Sequence, residues 1–292
     1  MNSTFTIGDM TVHRLIEEER PFFDPLTFFP DATPELIAEN RSWMVDMGAL
    51  DAVNGQLTLC IQSYIVRTPH HTILIDTCVG NDKPRPTRPF WDKLQSTAYM
   101  DGLAAHGLKV EDIDYVMCTH LHVDHVGWNT RLIGGKWVPT FPNARYVFGQ
   151  KEFDYWAAEN KKEEVGPFTD SVLPIVEAKM ADLVSTEFQF NDHIRLTSTP
   201  GHTPDHFAVL LGKSGKDAVV TGDLIHSPLQ ARYPELGMRA DFDQKMGGVT
   251  RRKFLECYCE TSTLVCTGHF PSPSTGSVSR WGEGFRFTTS KG

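Results

Sequence analysis

Three histidines and an aspartate fall within six consecutive positions of this chain: His120, His122, Asp124 and His125, in the run Thr119-His120-Leu121-His122-Val123-Asp124-His125. Neutral imidazole nitrogen and carboxylate oxygen are good ligands for Zn²⁺ and its first-row neighbours. In an extended chain His120, His122 and Asp124, two residues apart, point the same way, whereas His125 points elsewhere. The spacing therefore reads as a two-metal site. A polar surface loop rich in histidine is the competing reading, and ligand chemistry favours metal over it.

The rest of such a ligand set must come from elsewhere in the chain. Thr199-Pro200-Gly201-His202-Thr203-Pro204-Asp205-His206 follows a strand-like stretch, Ile194-Arg195-Leu196-Thr197. Ala218-Val219-Val220-Thr221-Gly222-Asp223 is an apolar run ending in glycine and a carboxylate, and Leu264-Val265-Cys266-Thr267-Gly268-His269 repeats it with a histidine. Each reads as a buried strand whose tip offers one ligand, with small residues where the backbone turns. One such tip is weak evidence; three downstream of the histidine cluster are strong evidence.

With these residues in place the chain resembles the metallo-β-lactamase-fold hydrolases, from about Leu57 to about Gly276. The resemblance implies an α/β fold, a four-layer αββα sandwich with a dinuclear metal site between its sheets. It also implies that His120, His122 and His202 bind one metal, that Asp124, His125 and His269 bind the second, and that Asp223 bridges them. Asp76, in Ile73-Leu74-Ile75-Asp76-Thr77, looks like the family's buried aspartate that orients ligands; a strand-end turn residue is the alternative from local sequence. His206, four after His202, reads as supporting or structural. His13, His70, His71, His106 and His193 fall outside any constellation.

A chain of 292 residues is long for one domain, but layered α/β folds reach this size, and residues 1–292 read as a single metallo-β-lactamase-like domain. Residues 1–50 read as an N-terminal segment at a pocket wall or a dimer contact. No apolar stretch is long enough to span a membrane. Glu17, Glu18 and Glu19 close behind the first apolar residues argue against a secretory signal and for a cytoplasmic protein. Six scattered cysteines, Cys60, Cys78, Cys118, Cys257, Cys259 and Cys266, lack zinc-ribbon spacing and read as mostly buried, reduced thiols. A net charge of −9 disfavours phosphate backbones, so no nucleic-acid partner is expected. The basic runs Arg251-Arg252-Lys253 and Lys161-Lys162 read as solvated helix faces.

The pattern alternates strands and helices. Phe5 to Ile16 reads as a strand pair turning at Gly8-Asp9, and Thr58 to Val66 with Thr72 to Asp76 as a hairpin. Ile113 to Thr119 reads as a buried strand entering the histidine run, and Trp281 to Thr289 as a strand-like tail. Helices are expected over Trp91 to His106, Lys151 to Asn160, Asp170 to Asp182 and Val249 to Thr261.

Two divalent ions roughly 3.5–4 Å apart can hold a water between them as hydroxide and polarise a carbonyl or phosphoryl oxygen, so no serine or cysteine nucleophile is required. Zn²⁺ is the default ion, with Mn²⁺, Co²⁺ and Fe²⁺ compatible with the same donors. Asp124, Asp223 and His226 are the catalytic candidates. The segment Gly222-Asp223-Leu224-Ile225-His226 is similar to the GD-x-x-H of the quorum-quenching lactonase and methyl-parathion-hydrolase branch. In the well-known acyl-homoserine lactonases a tyrosine takes the place of His226. His226 reads equally as a group that meets the substrate or as one that supports the metal ligands. The resemblance points to opening of a hydrophobic lactone or ester. Organophosphate triester hydrolysis is the alternative, a glyoxalase II-type thioesterase is less favoured, and a non-catalytic metal-binding protein least, because all seven ligand candidates are present. Phe22-Phe23, Phe28-Phe29, Trp43, Phe90-Trp91, Trp128, Phe141 and Phe270 are candidates for an apolar pocket wall, with core filling as the competing reading and a homodimer contact as a further role for the N-terminal pairs.

Overall fold

The computed structural model describes residues 4–213 and 217–289. Its first strands are β1 (Thr4–Ile7), β2 (Met10–Phe23), β3 (Leu57–Arg67), β4 (Thr72–Ile75) and β5 (Tyr115–Met117). Next come β6 (Thr130–Ile133), β7 (Lys136–Pro139), β8 (Arg145–Gly149) and β9 (Ala181–Val184). The last six are β10 (Ile194–Ser198), β11 (Phe207–Leu211), β12 (Ala218–Val220), β13 (Leu264–Cys266), β14 (Thr275–Trp281) and β15 (Gly284–Thr289). The helices are α1 (Pro25–Phe28), α2 (Pro34–Asp46), α3 (Ala98–Ala105), α4 (Gln150–Lys162), α5 (Gly166–Ser171), α6 (Leu173–Glu177), α7 (Pro228–Arg232) and α8 (Gln244–Tyr258). These elements form two compact units. Among the described residues one, termed the motif unit, comprises 4–18 and 61–186; the other, the tip unit, comprises 19–60, 187–213 and 217–289.

The motif unit is built on a seven-stranded sheet of order β1-β2-β3-β4-β5-β8-β9, with the hairpin β6-β7 beside it in sequence. The unit boundary falls within β2 and β3. Strands β4, β5, β8 and β9 are parallel. Ile73, Leu74, Ile75, Val116, Met117, Tyr146 and Phe148 are almost fully buried, the continuous apolar pattern of strands covered on both faces. Each such side chain contributes roughly 1.5–3 kcal/mol on burial. The tip unit carries a six-stranded sheet of order β10-β11-β12-β13-β14-β15. Its core joins Leu210, Val219, Val265 and Phe287 of the strands to Phe254 and Leu255 of α8.

Several sequence expectations hold: the β1-β2 turn, the β3-β4 hairpin, the strands before each tip, and the strand-like tail, which is the β14-β15 hairpin. Others are corrected. The helix expected over Trp91 to His106 begins only at Ala98. The residues before it form turns pinned elsewhere: Lys93 has φ +50° and donates its N–H to Lys83 O, while Trp91 is buried and bonds to Glu18 through its indole N–H. The helix expected over Asp170 to Asp182 is two short helices, α5 and α6, that meet at Val172 just before Pro174, and its last residues are β9. Helix α8 starts five residues earlier than expected, because Asp243 accepts from Met246 N and caps it. Arg251 is not solvated but 1% exposed. Its guanidinium donates to Leu224 O, Pro234 O and Leu236 O, which satisfies a buried charge through backbone carbonyls. All six cysteines are free thiols; four are buried, Cys257 is exposed and Cys259 half-buried. Among the described residues no helix is long and apolar enough to cross a membrane.

Candidate metal centre

In both units the ligand candidates gather where strands end, and strand direction explains why. In the motif unit, the parallel register pairs Ile75 with Met117 and Met117 with Val147. Asp76, the Thr119–His125 loop and the start of α4 therefore leave the sheet at one edge. In the tip unit, Val220 pairs with Cys266 in parallel, so Asp223 and His269, each three residues further on, emerge side by side. The antiparallel pairs of Ser198 with Phe207 and Val209 with Val220 bring the β10-β11 loop, which carries His202, to the same edge. The β12 and β13 tips approach so closely that a Cβ on Gly268 would lie 2.9 Å from Gly222 O, which accounts for glycine there.

The motif unit brings His120, His122, Asp124 and His125 together, though not along an extended strand. His125 N–H donates to His122 O at 3.1 Å, so the segment is a turn, and the alternation expected from spacing is replaced by a fold-back. The ring centroids of His120 lie 4.6 Å from His122 and 4.1 Å from His125. Asp76 sits beneath this turn at φ +60° and 4% exposed. It accepts from Thr119 N at 2.8 Å and lies 2.9 Å from His125 Nδ1. It is thus placed as an orienting carboxylate and not as a surface turn residue. Thr119 Oγ1 is 3.1 Å from His120 Nδ1. Glu152 of α4, 1% exposed, accepts from Leu121 N between the first two histidines and from Trp156 Nε1, and the Trp156 ring packs edge-on to His122.

The tip unit gathers His202, Asp223, His226 and His269, all at most 3% exposed. Three imidazole Nε2 atoms converge on the Asp223 carboxylate: His269 at 2.9 Å from Oδ1, and His202 and His226 each at 3.2 Å from Oδ2. His269 Nδ1 is 2.9 Å from Cys60 O, a carbonyl that can only accept, so its Nε2 carries the lone pair when the ring is neutral. That lone pair faces a carboxylate oxygen, and two acceptors this close need a proton or a cation between them. Two donors each about 2.1 Å from one tetrahedral zinc ion lie about 3.4 Å apart, close to the 3.2 Å between His202 Nε2 and Asp223 Oδ2, so these residues fit a divalent ion. His202 Nδ1 is held at 2.8 Å by Asp241 Oδ1. Burial works against charge on His202, but the hydrogen bonds with Asp223 and Asp241 outweigh it and lift its pKa to about 9. Burial alone would raise the Asp241 carboxyl, yet its bond to His202 holds it below the ordinary range. Burial pushes His226 the other way, only partly opposed by Asp223, and favours its neutral form. His206 is structural: its Nε2 accepts from Asp223 N at 2.9 Å and its Nδ1 meets Thr199 Oγ1 at 2.7 Å.

Residues 61–269 match the family model described as the metallo-β-lactamase superfamily, which spans all eight site candidates. The chain belongs to the metallo-β-lactamase superfamily. It has that fold, and the expectation of a dinuclear metallo-hydrolase stands. It is 24% identical over 223 residues to an N-acyl homoserine lactonase of Bacillus cereus, covering 73% of this chain and 82% of that protein. A probable metallo-hydrolase of Methanocaldococcus jannaschii, MJ0296, is 32% identical over 129 residues, 44% of each chain. Among solved structures, AidC, a dizinc quorum-quenching lactonase in complex with a product, N-hexanoyl-L-homoserine, superposes with a TM-score of 0.80 at 20% identity and covers 100% of this chain and 98% of that one. The hydrolase AbOPH of the β-lactamase superfamily superposes at 0.81 with 22% identity, again over 100% and 98%.

Three further residues, Asp241, Glu152 and the Cys60 carbonyl, were not apparent from sequence. Asp241 stands in Asp241-Phe242-Asp243 before α8, and only the second aspartate serves as the cap. That leaves the first without a capping role, the one signal available. Of the proposed aromatic wall, Trp128 and Phe270 are core instead, Trp128 stacked on Tyr99 and Phe270 edge-on to Phe287. Phe22, Phe28 and Phe29 are also buried, and Phe28 packs its edge 5.7 Å from His226.

Proposed function

We propose that the chain opens hydrophobic lactones of the acyl-homoserine type. In this reading His120, His122 and His202 hold one Zn²⁺, Asp124, His125 and His269 hold a second, and Asp223 bridges the pair, within one domain spanning residues 1–292. The observation that carries it is the convergence of imidazole Nε2 atoms on both oxygens of Asp223, as a bridging carboxylate requires. When bound, two such ions would supply Lewis acidity for the substrate carbonyl and a source of hydroxide near neutral pH.

The second nitrogen of each ring separates ligands from helper. In metal-binding histidines the nitrogen away from the ion is normally held by a carboxylate, carbonyl or other acceptor. Asp241 does this for His202, Cys60 O for His269, Asp76 for His125 and Thr119 for His120. His226 Nδ1 has no such partner among the described residues. We therefore assign His226 a hydrogen bond from Nε2–H to Asp223 Oδ2, which makes it a helper of the bridging carboxylate and not a ligand. Phe28 beside that ring offers an apolar surface. The Asp124 side chain is 15% exposed against 4% for Asp223, which makes Asp124 the better placed carboxylate to pass a proton to the leaving oxygen. The substrate class is supported by the lactonases among the relatives and by the apolar Phe28.

The test is hydrolysis by zinc-loaded protein of acyl-homoserine lactones of graded chain length, an aryl ester and methyl paraoxon. Chelator-sensitive lactone opening, with kcat/KM at least about tenfold above the phosphotriester, is expected. A reversed preference would overturn the substrate assignment.

A further inference from the structure

Behind His202 lies a buried charged pair that the hydrolytic reading does not use. Asp241 has no exposed side-chain surface, and its two oxygens face different tasks. Oδ1 lies 2.8 Å from His202 Nδ1, and Oδ2 accepts from Met238 N at 2.8 Å. Oδ2 is also 3.9 Å from Nη2 of Arg251, whose Nε donates at 2.8 Å to the carbonyl of Leu224, the residue after Asp223. Backbone bonds strengthen the contact, with Phe242 N donating to His202 O at 3.0 Å and Asp243 N to Gly201 O at 2.9 Å. One helix residue, Arg251, thus ties the turn bearing Asp223 to the loop that grips His202.

A buried carboxylate with an isolated charge is costly, and Asp243 already caps α8, so helix capping does not account for Asp241. What Asp241 does achieve is to fix the His202 ring. Its acceptor oxygen holds the proton on Nδ1, which leaves Nε2 as the donor atom and sets the plane of the ring relative to Asp223. Residues that act in this way on metal-bound histidines change affinity by about 10–100-fold.

We infer that Asp241, backed by Arg251, is a positioning residue that presents His202 Nε2 to the metal. The inference rests on His202 being a ligand, as proposed above, and the experiment separates the two. Zinc affinities at both sites are measured by chelator competition on the folded full-length chain, together with the visible spectrum of the cobalt-substituted protein, for Asp241→Asn, Asp241→Ala, His202→Ala and the double variant His202→Ala/Asp241→Ala. Asp241→Asn keeps the shape and an acceptor for Met238 N, so a folded variant is available if alanine unfolds the loop.

Asp241→Ala is expected to weaken one zinc site about 10–100-fold and to shift the cobalt spectrum. Asp241→Asn is expected to fall between it and the parent, and the effect is expected to vanish in the His202→Ala background. A purely structural role would lower thermal stability but leave zinc affinity per folded chain within about twofold, and that result overturns the inference. An undiminished effect of Asp241→Ala in the His202→Ala background also overturns it. If His202→Ala alone leaves both affinities unchanged, the ligand assignment itself falls and takes the inference with it.

Discussion

Replacing Gly127 with alanine is expected to break the motif unit where it holds the histidine turn. The backbone at 76–80 and 125–128 is joined by three short bonds: Thr77 N to His125 O, Gly127 N to Cys78 O and Trp128 N to Thr77 O, each 2.8 Å. A Cβ at Gly127 would lie 1.8 Å from Val79 O and 2.5 Å from Gly80 N, whereas real Cβ contacts stay beyond 3.0 Å. Both neighbours are backbone atoms, so no side chain can swing aside. The segments must part by more than about 1 Å, which takes 2.8 Å bonds past hydrogen-bonding range. Losing at least two of these three buried backbone bonds at about 1–3 kcal/mol each predicts a cost of at least about 2–6 kcal/mol. At roughly 2–4 °C per kcal/mol, the melting temperature should fall by about 10 °C. Metal content should fall as well, because His125 moves with its carbonyl. Gly134→Ala is the control: it sits at φ +57° with nothing within 4 Å of its Cβ, so only backbone strain of about 1–2 kcal/mol applies. Thermal melts of metal-free and zinc-loaded protein decide the matter. A Gly127→Ala variant that melts no lower than Gly134→Ala and keeps its metal would refute the steric reasoning.

Glu17 predicts a pH effect on stability. Burial lifts its carboxyl to about 7 despite hydrogen bonds from Val79 N, Trp128 Nε1 and Gly80 N. The native state then binds a proton that the unfolded chain releases near 4.5, so stability declines as pH rises from about 4.5 to about 7, with the cost fully present above that. Glu17→Gln should flatten this slope in urea titrations across pH 4.5–7.5; an unchanged slope places the titrating group elsewhere. His206→Ala leaves the buried Asp223 N–H without its acceptor and should cost at least about 2 kcal/mol in denaturant unfolding, whereas a neutral effect would show that His206 does not hold that backbone. We also propose a homodimer, for which sedimentation at micromolar concentration should give twice the chain mass of 32.8 kDa; a monomer there would dispose of it.

The site was more legible than the fold around it. The histidine run and the three glycine-bearing tips can be read from sequence because ligand chemistry restricts residue type and tight turns restrict neighbours. Strands β10, β12 and β13 were recognisable as short apolar runs, and their register is what turns three scattered tips into one edge. The helices failed where tertiary contacts overrode periodicity, as at Trp91, whose indole is drawn to Glu18, and at α5 and α6. Arg251 shows the same limit for charge. Three basic residues in a row resemble a solvated face, and only the path of the backbone reveals that the first meets three carbonyls. Asp241 and Glu152 were invisible for a related reason, since each acts on a residue far away in sequence and leaves no local spacing to recognise.

The most direct test of the account is the number of metal ions retained per folded chain after zinc saturation and desalting, measured by elemental analysis for the parent and for Asp223→Ala. A dinuclear centre bridged by Asp223 predicts two zinc ions in the parent and a clear loss when the shared carboxylate is removed. One ion or none in the parent, or an unchanged count in Asp223→Ala, would contradict a dinuclear centre bridged by Asp223.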